Sequence, residues 1–361
     1  MGLTGGEFVA EYLIAEGVPY VFGIPGHGDM AAFDAFKDRA DRITMIGPRH
    51  EQAAAHMADA YYRASGKPLA TMTSIGPGSM NVATGLGTAF VDSIPLISFT
   101  GGPQTYMLGR GVLQELERQQ DNVFPHIIQP MVKRNWDVQH VDLLADVLPR
   151  AFNNMLSGRP GPVHIELPMD VQAEVTELPV PDPAERRATS GAVRPDPDAI
   201  DKAAAKLLAA KRPVLLAGGG CLEAKAAAEV KKVAEYLDAA VVVTMMGKGV
   251  FPEDHPLDAE HTGSNGTLVG NYMTKNADVI LAVGTRFAEQ TSSSFMDGMS
   301  FSIPPTEIIH LDIDPTEIGK NYPTAVGAVC DAKAGLNDLF DALVDHNGTE
   351  GISRPAYREE I

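Results

Sequence analysis

Basic residues are scarce in this chain: 29 Lys and Arg stand against 47 Asp and Glu, for a formal net charge of −18 over 361 residues. That balance opposes nucleic acid and anionic membranes as partners and favours solubility. Cysteine is nearly absent. Cys221 and Cys330 are the only two, far apart and in no metal or redox spacing. A disulfide framework is thereby excluded, and a reduced, cytoplasmic protein is expected. No apolar run approaches the ~20 residues needed to cross a bilayer. Glu7 and Glu11 interrupt the first apolar stretch, against the pattern of a secretion signal. There is no short tandem repeat. A zinc-protease motif also fails: His56 follows His50-Glu51 at six residues from His50, so the two rings fall on different helix faces. The triplet Gly-Asp-Gly occurs nowhere.

What is present is an ordinary soluble composition, 44 % hydrophobic and 21 % charged, with length enough for two domains. Apolar, β-branched runs alternate with helical patterns, which argues for parallel α/β architecture. In the first half the predicted strands are 20–24, 43–46, 69–74, 96–100 and 163–167. The predicted helices are 6–16, 30–38, 52–65, 80–91 and 141–156. The helix from Gln52 has alanines on several sides (Ala53, Ala54, Ala55, Ala58, Ala60), so close packing is expected there. Residues 174–197 then hold five prolines and few large apolar groups, and read as a semi-extended linker. Alternation restarts with strands 214–217, 240–243, 279–283 and 308–311 and helices 224–237 and 334–344. The expected division is residues 1–173, a linker 174–197, a second domain 198–345, and a polar tail 346–361 without a further core element.

In open parallel sheets, ligand-contacting residues collect beyond the carboxyl ends of the strands. Glu51, in Arg49-His50-Glu51-Gln52, lies just past the strand ending at Ile46. A carboxyl group in a mostly apolar site exchanges protons with a nitrogen heterocycle. An acid there also simply opens a helix, and from the residue alone both readings stand. Gly76-Pro77-Gly78-Ser79 with Asn81 follows the strand 69–74 as a stiff turn that admits a ligand backbone-close, with Ser79 placed to cap the next helix. The turn Gly23-Ile24-Pro25-Gly26-His27-Gly28 faces the same crevice, and His27 there is either an acid/base group or a loop histidine in solvent. Gly218-Gly219-Gly220 opens a second βαβ unit but lacks the spaced dinucleotide fingerprint.

Together these stretches resemble the thiamine diphosphate-dependent enzymes of the acetolactate (acetohydroxyacid) synthase type. The matching residues include Val21–Gly26, Arg49–Ala54, Gly76-Pro77-Gly78 with Asn81, Asp92–Leu96, Gly158–Val163, Met246–Pro252 and Asp312–Gly319. The resemblance covers nearly the whole chain, as the first two of the family's three domains. It implies two doubly wound parallel-sheet domains: a pyrimidine-binding domain followed by a Rossmann-like central domain. It implies that Glu51 hydrogen-bonds the aminopyrimidine ring, promoting the tautomer that deprotonates the thiazolium carbon. Pro25, Gly26, Pro77 and Asn81 match positions lining the cofactor pocket. Gln114, in Val112–Glu117, falls near the family's Phe-Gln-Glu segment, with leucine in place of the phenylalanine. His27 is a second catalytic candidate.

The family's third domain holds the diphosphate and its metal through Gly-Asp-Gly and a downstream asparagine. The expectation is therefore a split enzyme, with Mg2+ on a second subunit, no metal ligands here, and a dimer or tetramer of heterodimers; the competing explanation is that this sequence is a piece of a longer protein. The expected reaction is decarboxylation and carboligation of a 2-oxo acid. Hydrolytic C–C cleavage of a cyclic dione is the alternative that Gly26-His27-Gly28 suggests, and a non-catalytic regulatory homologue is the third. FAD, ADP or nothing is expected in the central domain, where Gly218–Gly220, Met246–Gly249 and Gly284–Phe287 resemble FAD-contacting stretches and Lys248 departs from the usual leucine.

Overall fold

The computed structural model describes residues 2–116, 122–187 and 191–361. Glu117, and residues 188–190 of the expected linker, lie outside them. The chain divides into two compact units, residues 1–190 and 191–361.

The first unit contains strands β1 (Leu3–Thr4), β2 (Tyr20–Ile24), β3 (Thr44–Ile46), β4 (Ala70–Thr73), β5 (Ile97–Gly102), β6 (Arg134–Asp137), β7 (Val163–Pro168) and β8 (Val175–Thr176). Its helices are α1 (Gly5–Ala15), α2 (Met30–Lys37), α3 (Glu51–Ser65), α4 (Pro77–Val91), α5 (Phe124–Ile128), α6 (Leu144–Leu156), α7 (Met169–Ala173) and α8 (Pro183–Arg186). Six strands form one parallel sheet in the order β3-β2-β4-β5-β7-β6, and β1 pairs antiparallel with β8. From β2 the chain goes first to one side, into β3, and then returns to the other, into β4. The carboxyl ends of β2 and β4 therefore flank the topological switch point, where a crevice opens in folds of this kind.

The central strands β4, β5 and β7 are buried along their whole length, as strands covered by helices on both faces must be. Thr4 caps α1 reciprocally with Glu7: its Oγ1 accepts the Glu7 N–H at 3.3 Å, and the Glu7 carboxylate accepts the Thr4 N–H at 2.8 Å. Helices α3 and α4 approach closely because the alanine face of one meets a glycine of the other. A Cβ added at Gly85 would lie 2.4 Å from the Cβ of Ala55.

The second unit adds β9 (Pro213–Ala217), β10 (Ala240–Val243), β11 (Asp258–His261), β12 (Val279–Val283), β13 (Glu307–Asp312) and β14 (Val326–Val329). Its helices are α9 (Pro197–Ala209), α10 (Gly219–Glu223), α11 (Ala227–Leu237), α12 (Leu268–Lys275), α13 (Ala332–Asn347) and α14 (Pro355–Arg358). The sheet is again parallel, in the order β11-β10-β9-β12-β13-β14. Both units are thus doubly wound parallel α/β.

Three expectations change. The proline-rich stretch ends in a helix: Asp196 accepts the N–H groups of Asp198 and Ala199 at 2.9 and 3.3 Å, and Pro197 is the first residue of α9. The helix expected over 224–237 starts later, at Ala227 as α11, because Lys225 takes φ +53°, and a separate short helix, α10, precedes it. The tail is not free of core contacts either. Tyr357 is buried, with its hydroxyl donating to the Pro213 carbonyl at 2.9 Å. Arg354 donates to the carbonyls of Leu207 (3.4 Å) and Ala210 (2.8 Å) at the end of α9, and to Leu237 at the end of α11. One guanidinium so completes the carboxyl ends of two helices, where unpaired carbonyls carry partial negative charge. The buried Asp238 holds the clasp: it accepts the Arg354 N–H at 2.6 Å and the Arg358 Nε–H at 2.9 Å.

The clasp predicts that Arg354→Met destabilises the second unit by about 1.5–3 kcal/mol, the range for lost hydrogen bonds to a charged group. The only tryptophan, Trp136, lies on β6 in the first unit. In urea, the circular dichroism transition should acquire an earlier component while the Trp136 fluorescence midpoint stays in place. An unshifted dichroism transition would remove the clasp.

Candidate functional site

The site is assembled at the carboxyl ends of β2, β3 and β4. Glu51 is the first residue of α3, half-buried, and the side chain of His50 caps the helix by accepting the Gln52 N–H at 3.2 Å. A carboxylate at a helix N-terminus is favoured by the helix dipole. Across the packed pair of helices, Asn81 Nδ2 of α4 donates to Glu51 Oε2 at 2.9 Å. That leaves Oε1 with no hydrogen-bond partner among the described residues. Gly78 keeps the space beside it open: a Cβ there would stand 3.5 Å from Oε1.

The turn after β2 packs on the turn after β4. The Gly28 N–H donates to Ser74 Oγ at 3.1 Å, and a Cβ at Gly26 would lie 2.4 Å from the same oxygen. Gln172 of α7 ties the turn down from the other side, donating to the Gly28 carbonyl at 2.7 Å and to the Leu167 carbonyl at 2.8 Å. Pro25 and His27 stand exposed on this turn, and His27 has no hydrogen-bond partner among the described residues. The turn after β4 needs Gly76. Its φ of +62° with ψ −112° suits glycine. A Cβ there would also meet the Gln114 carbonyl at 2.0 Å. Gln114 itself has φ +69° and an exposed side chain. Ser79 does not cap α4 as expected; its hydroxyl donates to the Ser74 carbonyl at 2.8 Å. Pro77 is the exposed first residue of α4.

The structure therefore brings Pro25, Gly26, His27, Glu51, Pro77 and Asn81 to one sheet end, with the Gln114 backbone against the Gly76 turn. The sequence reading missed three residues of this region: Ser74, Gln172 and Asp29. Asp29 follows the turn directly and is fully buried, with Oδ1 accepting the Gly26 N–H at 2.7 Å. Burial pushes its carboxyl up to about 7, against the Gly26 hydrogen bond, and the charge of Glu51 adds to the rise. An acid next to a glycine turn was the available signal. Nothing in Met169–Ala173 marks Gln172.

Burial pushes the Cys221 and Cys330 thiols up to about 12. It also pushes His164 down to about 3, beside Thr100 Oγ1 at 2.8 Å. Among the described residues no group of three or more His, Cys, Asp or Glu is placed to hold a metal ion. No described helix is long and apolar enough to cross a membrane.

In the second unit the three glycine-bearing stretches meet at the carboxyl ends of β9, β10 and β12. The Gly220 N–H donates to the Gly284 carbonyl at 3.0 Å, the Gly218 N–H to Val283 at 2.9 Å, and Gly219 lies against Met246. Phe287, however, is buried among Phe301, His310 and Tyr322 and belongs to the core. Lys248 pairs with Glu253 at 2.7 Å on the surface.

Comparison with known families decides what this pair of domains is. The model of the thiamine pyrophosphate enzyme N-terminal TPP binding domain matches residues 3–122, and that of the thiamine pyrophosphate enzyme central domain matches residues 200–339. The chain belongs to the thiamine pyrophosphate enzymes. It is 38 % identical over 345 residues to a probable acetolactate synthase large subunit of Methanocaldococcus jannaschii, covering 95 % of this chain and 56 % of that protein. It is 36 % identical over 343 residues to the acetolactate synthase isozyme 3 large subunit of Escherichia coli, covering 94 % and 58 %. With the isozyme 1 large subunit of the same organism the figures are 36 % over 341 residues, covering 94 % and 57 %. The chain thus spans under two-thirds of the length of these relatives. The carboxyl ends of β2, β3, β4 and β5 fall in the TPP binding domain match, as does Glu51.

Because Gly76 holds a conformation open to glycine, Gly76→Ala should cost at least about 1–3 kcal/mol in backbone strain alone. The Trp136 fluorescence midpoint in urea should fall accordingly. A variant of unchanged stability would show that the turn relaxes around the Gln114 carbonyl.

Proposed function

We propose that this chain supplies the pyrimidine half of a thiamine diphosphate site in an acetolactate synthase-like carboligase acting on a 2-oxo acid. The observation that carries the reading is the Asn81–Glu51 hydrogen bond of 2.9 Å, which orients one carboxylate oxygen and leaves the other unpartnered among the described residues, beside Gly78. The residues fit the group. A nitrogen heterocycle needs one oriented acid and a wall without side chains, and Glu51 and Gly78 offer both.

When bound, the cofactor supplies an electron sink for the carbanion that decarboxylation of a 2-oxo acid leaves. The chain's own residues bind and orient. Glu51 holds or releases a proton toward a ring nitrogen. Asn81 fixes its rotamer. Pro77 and Pro25 stiffen the two turns that would line the ring, and the Gln114 backbone closes over the Gly76 turn. His27, exposed on its turn, is placed to exchange a proton with substrate.

The diphosphate and Mg2+ are assigned in this reading to a second subunit, in a cytoplasmic hetero-oligomer, a dimer or tetramer of heterodimers. The naming of relatives as large subunits supports a multi-subunit enzyme. FAD is assigned in this reading to the stretches that converge around Gly218–Gly220 and Met246. With Phe287 in the core, the flavin would lie against the glycine and methionine backbone rather than an aromatic ring.

In the assembled enzyme, Glu51→Gln should keep thiamine diphosphate binding within several-fold and lower 2-oxo acid turnover by roughly 10²–10⁴, the range for removing an acid/base group. Full turnover by this variant would end the proposal and favour a binding role. Product analysis separates ligation from hydrolysis: acetolactate-type products are expected, whereas ring-opened products from a cyclic dione would transfer the site to the hydrolytic reading.

A further inference from the structure

Asp29 is not used by the chemistry above, and its setting is unusual. The carboxyl is wholly buried in front of α2. Its Oδ1 accepts the Gly26 N–H at 2.7 Å, and its own N–H donates to the Gly26 carbonyl at 3.3 Å. This reciprocal pair closes the turn that carries His27. Oδ2 has no hydrogen-bond partner among the described residues. A buried carboxylate oxygen without a partner is expensive as an anion and cheap as part of a neutral acid.

The ionisable groups around it narrow to one. From α3, the charge of Glu51 acts on Asp29. His27, on the turn itself, is exposed. From α7 the group facing the turn is the neutral amide of Gln172, whose Oε1 accepts the Ala32 N–H at 3.3 Å, while Asp170 is tied to Thr105. From α1, Glu7 and Glu11 are paired with Arg39, beyond the other end of α2.

We propose that Asp29 is a positioning residue for the turn that carries His27: its carboxyl, held as a neutral acid by complete burial and an unpartnered Oδ2, clamps that turn through Gly26. Asp29, with no hydrogen-bond partner for Oδ2 among the described residues, keeps the proton. Its rise to about 7, caused first by burial and in lesser part by the charge of Glu51, agrees with this. The folded state binds this proton more tightly than the unfolded chain, whose aspartate ionises in the ordinary range. The group's stabilisation is therefore complete at acid pH and is lost as pH rises through about 7. That Glu51 serves a heterocycle rests on the proposed function; the coupling of the two acids does not.

The test is a carboxyl carbon NMR titration of the full chain labelled at aspartate Cγ. One resonance should titrate near pH 7, vanish in Asp29→Asn, and move to a lower midpoint in Glu51→Gln. Asparagine keeps an acceptor for the Gly26 N–H, so the turn is retained. In urea, the wild-type chain should lose stability between about pH 4 and pH 7 relative to Asp29→Asn. In the assembled enzyme, Asp29→Asn should remove a kcat ionisation near pH 7. An Asp29 resonance titrating in the ordinary aspartate range, one indifferent to Glu51→Gln, or an unchanged pH–rate profile would overturn the proposal. Loss of the cofactor role shows separately, as full turnover by Glu51→Gln.

Discussion

The crevice depends on two helices that touch without side chains between them. Gly85 of α4 meets the methyl group of Ala55 on α3, and that contact brings the first turn of each helix within reach of the other. Only then does the amide of Asn81 meet Glu51 across thirty residues of sequence. Larger residues at either position would push the helices apart and break the hydrogen bond without altering a single group that forms it. The alanine-rich face of α3 is thus a requirement of the site as much as of the core. Its buried alanines, Ala54, Ala55 and Ala58, let it pack closely on the sheet and on α4 at once.

The same sheet end assigns two acids opposite environments. Glu51 has a helix N-terminus, an amide donor and partial access to solvent. Asp29 has one backbone N–H, complete burial and a negative neighbour, which favour a proton. Their difference in environment arises from placement and not from residue type: one starts a long helix, the other sits beneath the turn after β2. A buried acid with so raised a proton affinity is a frequent mark of a working site.

What could be read from the sequence followed burial. The fully buried strands β9, β10 and β12 announce themselves as continuous apolar runs, and β2, β10 and β12 run over the expected residues. The strands of the six-stranded sheets that the sequence reading omits, β6, β11 and β14, all lie at sheet edges, and the two-residue pair β1 and β8 is omitted as well. Arg134-Asn135-Trp136-Asp137 of β6 and Asp258-Ala259-Glu260-His261 of β11 carry too little apolar character to stand out, and β14 is only four residues, alternately buried and exposed. Helix α9 was hidden because its cap and first residue, Asp196 and Pro197, look like the end of a proline-rich linker. At the site, Glu51, Asn81 and the two glycine turns were legible because turn chemistry and strand ends are local signals. Ser74 and Gln172 act through contacts 46 and 144 residues away in sequence, from Gly28, and no local pattern carries those. The tail misled for a related reason. Its composition is polar, but Arg354 and Tyr357 are spent on carbonyls left over at the ends of α9, α11 and the start of β9.

The second unit shows how the same architecture yields a different site. Its switch point, between β9 and β12, is bridged by backbone: Gly218 and Gly220 donate to Val283 and Gly284. In the first unit the corresponding turns are bridged through a side chain, Ser74 Oγ. Backbone contact is common to both: in the first unit the Gly28 carbonyl lies against Gly101, as Gly284 lies against Gly218 and Gly220 in the second. The two switch points of matching grammar thus differ in the group that bridges the turns, a serine hydroxyl in one and backbone amides in the other.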